Sequence, residues 1–122
     1  MVDFLLGQAP AFEVLGERAQ ENTLAAPHLL DAEVGQVMRR FVHHGIISVR
    51  RAEDALDDFA QLSLARYAHT PLLQRALELR DNVSFYDALY LVLAEAVEGQ
   101  LLTRDAALLH VPGCDAEVEL LG

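Results

Sequence analysis

Cysteine occurs once in the 122-residue chain, at Cys114, so no disulfide can form within it and a reducing compartment, the cytoplasm, is expected. Glycine and proline are scarce, with seven and four residues, and 52% of the chain is hydrophobic, which excludes a disordered polymer. Basic residues are also few: nine Lys and Arg stand against 19 Asp and Glu, for a net charge of -10. Clustered cations are what grip phosphate, so this balance argues against a broad basic face for nucleic acid. It leaves room for RNA reached through a metal ion and a few arginines. The apolar stretch from Val83 to Val97 is broken by Asp87 and Glu95 and is shorter than the roughly 20 residues that cross a bilayer, so it reads as a buried helix. Met1 to Gly7 has no basic lead and too short an apolar run for a signal peptide, so secretion is not expected. Internal repeats, low-complexity tracts, linkers and Gly-rich phosphate loops are missing. His43 and His44 are adjacent rather than four apart, His28, His69 and His110 are isolated, and Cys114 has no histidine near it in sequence. Zinc binding on a helix and nucleophilic catalysis therefore have no support.

The length fits one domain that buries roughly two-thirds of its unfolded surface. Helices and short strands alternate along it. A helix is expected near Pro10 to Gln20, a strand over Thr23 to Pro27, and a helix from Leu29 to His43 with Leu30, Val34, Val37, Met38 and Phe41 on one side, ended by Gly45. Val49 to Leu62 repeats the helical pattern, with Ala52, Ala55, Leu56 and Phe59 inward and the solvated face formed by Glu53, Asp54, Asp57 and Asp58. Further along come a strand over Ala65 to His69 and a helix from Pro71 to Arg80. A helix capped by Ser84 then runs to Glu98 and is closed by Gly99, followed by a strand at Leu101-Leu102 and an edge strand over Glu117 to Leu121.

Against this frame three acids stand out. Asp87 lies in the first turn of an apolar helix, within Ser84-Phe85-Tyr86-Asp87-Ala88-Leu89-Tyr90. Asp105 follows the strand in Leu101-Leu102-Thr103-Arg104-Asp105, and Glu33 lies near the start of an earlier helix. In open α/β sheets the carboxyl ends of strands and the adjacent helix starts face one crevice. Carboxylates gathered there repel one another, which a divalent cation between them relieves. Each acid also has a local role open to it. Asp87 suits a capping box with Ser84, Asp105 can cap a short helix running to His110, and Glu33, like Asp31, can be a first-turn acid that favours the helix dipole.

Taken in order, Asp3-Phe4-Leu5-Leu6-Gly7, His28-Leu29-Leu30-Asp31-Ala32-Glu33-Val34, Tyr86-Asp87-Ala88-Leu89-Tyr90 and Leu102-Thr103-Arg104-Asp105 resemble the PIN domain, specifically the VapC-type toxins of bacterial toxin-antitoxin pairs. The resemblance implies a three-layer α/β sandwich with a short central parallel sheet flanked by helices, spanning residues 1–122 as a single domain. It implies Mg2+, with Mn2+ as the alternative, held by Glu33, Asp87 and Asp105 for cleavage of RNA phosphodiester bonds. Thr103 would hydrogen-bond a carboxylate, or else be a β-branched residue that ends a strand. Arg104 is either a solvated charge, the reading favoured by the residues alone, or an RNA contact, and Arg39, Arg40, Arg50 and Arg51 are further candidates for phosphate contact. A homodimer and a VapB-like antitoxin that lays a helix into an apolar groove are the implied partners; the helices around Leu30 to Phe41 and Val49 to Leu62 could provide that groove or equally be core.

The family opens with an apolar strand ending in an acid, ahead of the segment matched here by Val2 to Gly7. The expectation is therefore that this chain starts inside the following helix, with Asp3 matching a secondary acid, and is N-terminally truncated relative to the family. A start assigned too late explains this more readily than a natural loss, because the opening strand of such a sheet is buried on both faces. Without it the domain would be less stable and weakly catalytic. The other function left open is an inactive PIN-like scaffold that acts by binding a partner.

Overall fold

The computed structural model describes residues 4–6 and 24–120. Five strands, β1 (Phe4–Leu6), β2 (Leu24–Pro27), β3 (Leu64–Tyr67), β4 (Gln100–Thr103) and β5 (Glu117–Leu120), form one sheet in the order β3-β2-β1-β4-β5. Every pairing is parallel. Parallel strands need crossover connections, and helices supply two of them: α1 (Leu29–His43) and α2 (Val49–Gln61) between β2 and β3, and α3 (Leu73–Glu78) and α4 (Phe85–Val97) between β3 and β4. The expected α/β class, a parallel sheet flanked by helices, is what the chain adopts.

Helix α4 is the centre of the core. Seven consecutive residues, Ala88 to Ala94, are buried, so the helix is covered on all sides, and it packs on β1, β2, β4 and α3. The small side chains of Ala25 and Ala26 on β2 let a helix approach the sheet closely. Leu101 and Leu102 on β4 are fully buried, as strands covered on both faces require. On α1 the buried residues are Leu30, Val34 and Met38, with Val37 and Phe41 half-buried. On α2 only Ala52 and Phe59 are buried. Glu53, Asp54, Asp57 and Asp58 face solvent as expected, while Leu56, expected inward, remains 39% exposed.

Ser84 caps α4 as anticipated, accepting from the Asp87 N–H at 3.1 Å, and Ser48 caps α2 in the same way. Gly45 follows α1 at φ +69, a conformation glycine adopts without strain. Several boundaries differ from expectation. Strand β3 ends at Tyr67 rather than His69, because the Tyr67 carbonyl accepts from the His28 N–H and completes the ladder with β2. The helix expected from Pro71 to Arg80 divides into a 3-10 turn over Thr70–Leu72 and the short α3. At the end of α4 the left-handed residue is Glu98, at φ 53. Gly99 follows it and donates to the Ala94 carbonyl.

The largest correction concerns the start of the chain. Phe4–Leu6 is not helical but is the central strand of the sheet, between β2 and β4. Its uninterrupted apolar sequence is what a strand between two parallel neighbours calls for. Asp3 and the helix expected near Pro10 to Gln20 lie outside the described residues, as does Leu121.

The register fixes one edge of the sheet. Leu5 pairs with Ala25 and Leu101, and Leu6 with Leu102, so Pro27 of β2 and Thr103 of β4 each extend one residue beyond β1. Strand spacing puts those two ends about 10 Å apart. From one of them α1 begins, and from the other the chain runs to Asp105. Because the sheet order reverses beside β1, this is the edge at which α/β sheets bind ligands.

Candidate carboxylate site

Tyr90 links Glu33 on α1 to the helix that carries Asp87. The Tyr90 ring is 1% exposed on α4, and its hydroxyl donates to Glu33 Oε1 across from α1. Asp87 stands three residues before Tyr90, on the same side of α4. Burial pushes the Glu33 carboxyl above its ordinary value. The Tyr90 hydrogen bond draws it partly back, and the charge of Asp87 pushes it up again. Burial likewise pushes the Tyr90 phenol far up, helped by its bond to Glu33 and by the charges of Glu33, Asp87 and Asp31, so Tyr90 acts as a neutral donor.

The two acids at the start of α1 have different partners. Asp31 lies in the first turn and accepts from Arg66 Nε at 2.9 Å through both carboxylate oxygens. Arg66 in turn stacks 5.5 Å over the Phe59 ring. Glu33 sits one residue beyond the first turn. Its bonded partner is a neutral hydroxyl, so its charge is not offset by that contact. Asp31 is thus committed to an ion pair, and Glu33 is the acid that α1 turns toward α4.

Asp105 follows β4 by two residues and is half-buried. Its carboxylate accepts from the Ala107 N–H at 3.0 Å and starts a 3-10 turn over Ala106–Leu108, the capping role open to it from the sequence. Thr103 is 1% exposed, and its Oγ1 accepts from the Asp105 N–H at 3.1 Å. That bond holds the turn carrying Asp105. Arg104, between them, is exposed. Arg39 is exposed on α1, six residues past Glu33 or about 9 Å along the helix axis, and it lines a groove against α2.

Among the described residues no three His, Cys, Asp or Glu side chains gather closely enough to hold a metal by themselves. The charge of Asp87 acts on the Glu33 carboxyl, and Asp105 follows β4 at the same end of the sheet. Such a donor set is all carboxylate oxygen, the chemistry hard cations prefer. Mg2+ keeps several waters and uses only one or two protein carboxylates, so the residues present fit it.

Comparison with known proteins returns a consistent set of relatives. No family model matches the chain. Ribonuclease VapC1 of Mycobacterium tuberculosis is 44% identical to it over 122 residues, covering 99% of this chain and 92% of that protein. A solved structure of PAE2754 from Pyrobaculum aerophilum superposes with a TM-score of 0.72 at 23% identity, covering 96% of this chain and 83% of that one. A chain of VapBC2 from Rickettsia felis, solved bound to a DNA fragment from its promoter, gives 0.68 at 18% identity and covers 98% of each. These two likenesses bear on the fold.

Proposed function

The chain belongs to the VapC ribonuclease family of PIN-domain toxins, and we propose that it is a Mg2+-dependent endoribonuclease toxin, with Mn2+ able to substitute, restrained by a VapB-like antitoxin. The observation that carries this reading is the Tyr90–Glu33 bond that joins α1 to α4 one helical turn from Asp87, beside the sheet edge where α/β folds bind ligands. Glu33, Asp87 and Asp105 would hold the cation. Bound there, it would supply an activated water and offset charge on the scissile phosphate. The chain's own residues set the frame. Tyr90 bonds Glu33, Ser84 fixes the first turn that carries Asp87, and Thr103 fixes the turn that carries Asp105. Arg104, exposed beside Asp105, would meet RNA phosphate.

The antitoxin reading rests on an apolar groove of about 320 Å³ between α1 and α2, lined by Met38, Val42, Val49, Ala52 and Leu56. Val49 is 61% exposed there, an apolar surface suited to the nonpolar face of a partner helix. Leu73 and Leu77, four residues apart on α3, are also exposed and apolar, which suits a second copy of the chain in a homodimer. No helix among the described residues is long and apolar enough to cross a membrane. The lone cysteine supports a cytoplasmic setting.

The testing experiment is RNA cleavage by the purified chain with Mg2+, with Mn2+ and with EDTA. Metal-dependent cleavage that EDTA abolishes supports the proposal. A folded chain that leaves RNA intact under all three conditions overturns it.

A further inference from the structure

The Tyr90 hydroxyl is a polar atom inside an otherwise apolar run, Ala88 to Ala94, and its partner lies on a different helix. A residue needed only to fill the core would pack as well without the oxygen, as the neighbouring Leu89, Leu91 and Leu93 do. A buried hydroxyl carries a desolvation cost unless it is bonded, and here Glu33 Oε1 takes that bond. The contact has two geometric consequences. It restrains a glutamate that would otherwise sample several rotamers in a half-buried setting. It also ties α1 to the part of α4 that presents Asp87, one turn earlier on the same face. Among the described residues Glu33 Oε2 has no hydrogen bond, so the carboxylate keeps one oxygen for an outside ligand.

We propose that Tyr90 is the positioning residue of the cation site: it holds Glu33 by Oε1, turns Oε2 toward the space shared with Asp87, and sets the spacing between the two acids. The inference rests on the ribonuclease reading above and deepens it. Tyr90 touches neither cation nor RNA, and acts through Glu33. Outer partners of metal-binding carboxylates have this character, and their removal weakens metal affinity by about 10- to 100-fold.

The test is Mn2+ binding, followed by electron paramagnetic resonance on the full chain, for the unsubstituted protein, Tyr90→Phe, Glu33→Gln, Asp87→Asn and the Tyr90→Phe, Glu33→Gln double variant. Tyr90→Phe should retain its circular dichroism spectrum and lose Mn2+ affinity about 10- to 100-fold. The double variant should bind no more weakly than Glu33→Gln alone, because the effect of Tyr90 passes through Glu33. Independent, additive losses would mean a merely structural role and overturn the inference. Binding that falls in Asp87→Asn but is unchanged in Tyr90→Phe overturns the inference and leaves the cation site standing. Unsubstituted protein that binds no Mn2+ overturns both. One measurement needs no substitution. In tyrosine-labelled protein, Mn2+ should broaden the Tyr90 ring signals at lower concentration than those of Tyr67 on β3, and the reverse order would count against the placement.

Discussion

Arg75 on α3 and Glu95 on α4 form a two-pronged ion pair, Nε to Oε1 at 3.0 Å and Nη2 to Oε2 at 2.9 Å. The same Glu95 carboxylate takes the Asp115 N–H at 2.8 Å, and Arg75 Nη2 also reaches the Gly113 carbonyl at 2.7 Å. One node therefore joins α3, the core helix and the loop that leads to the edge strand β5. It fastens the end of α4 opposite to the carboxylate site, so it bears on stability rather than chemistry.

Burial pushes the Glu95 carboxyl up, but the bonds from Arg75, the Asp115 N–H and Cys114 outweigh it and hold the group below its ordinary value. A carboxyl depressed in the folded state contributes stability that is present above its unfolded pKa and lost as pH falls through the folded one. Acid unfolding of the unsubstituted chain should therefore include a Glu95 component below about pH 4.5. Glu95→Gln should be less stable at neutral pH by about 1–3 kcal/mol and flatter on the acid side. Denaturant melts at pH 7 and across the acid range check this.

Glu33 has the opposite sign. Its carboxyl is raised by burial, so in metal-free protein stability should increase as pH falls from neutrality through the raised value. Glu33→Gln should melt higher than the unsubstituted chain at pH 7 without metal and lack that pH dependence. It should also lose the stabilisation that Mg2+ gives the unsubstituted chain. Calorimetry with and without Mg2+ reads all three effects.

His69 caps α1 from a distance: its Nε2 accepts from the Leu29 N–H at 3.0 Å. That nitrogen accepts only when it carries no proton, so the ring serves in its neutral form. His69→Ala should destabilise the chain by about 1 kcal/mol through the orphaned N–H. Hydrogen exchange of the first α1 turn, which precedes Glu33, should accelerate more than that of α4.

At Glu98 a non-glycine residue holds the left-handed conformation, at φ 53, on an exposed position. Glu98→Gly removes the clash of Cβ with its own backbone and should raise stability by about 0.5–1 kcal/mol with cleavage unchanged. A loss of stability would show that the Glu98 side chain makes a compensating contact.

The features that local chemistry dictates were legible in the sequence. The apolar run after Ser84 predicted a buried helix with Asp87 in its first turn, and the resemblance to the PIN domain implied the parallel sheet. The strand that ends at Thr103 was legible, but the bond from the Asp105 N–H to Thr103 Oγ1 depends on backbone angles that spacing does not encode. Choosing between Asp31 and Glu33 on physical grounds required knowing that Arg66, 35 residues on, reaches the first, and that Tyr90, 57 residues on, reaches the second. The three-residue strand Phe4–Leu6 is too short for periodicity to separate from the start of a helix, and its pairing partners decide the matter. Tyr90 left a faint signal: a hydroxyl three residues after Asp87 in a stretch that otherwise has no use for one.

The most direct test of the account is Mg2+-dependent cleavage of RNA by the unsubstituted chain beside Asp87→Asn, both shown to be folded by circular dichroism. Cleavage should rise with Mg2+ in the first and fall by about 100-fold or more in the second, the scale on which removing a key electrostatic group acts. Equal cleavage by the two would contradict it, and would remove Asp87 from the cation site.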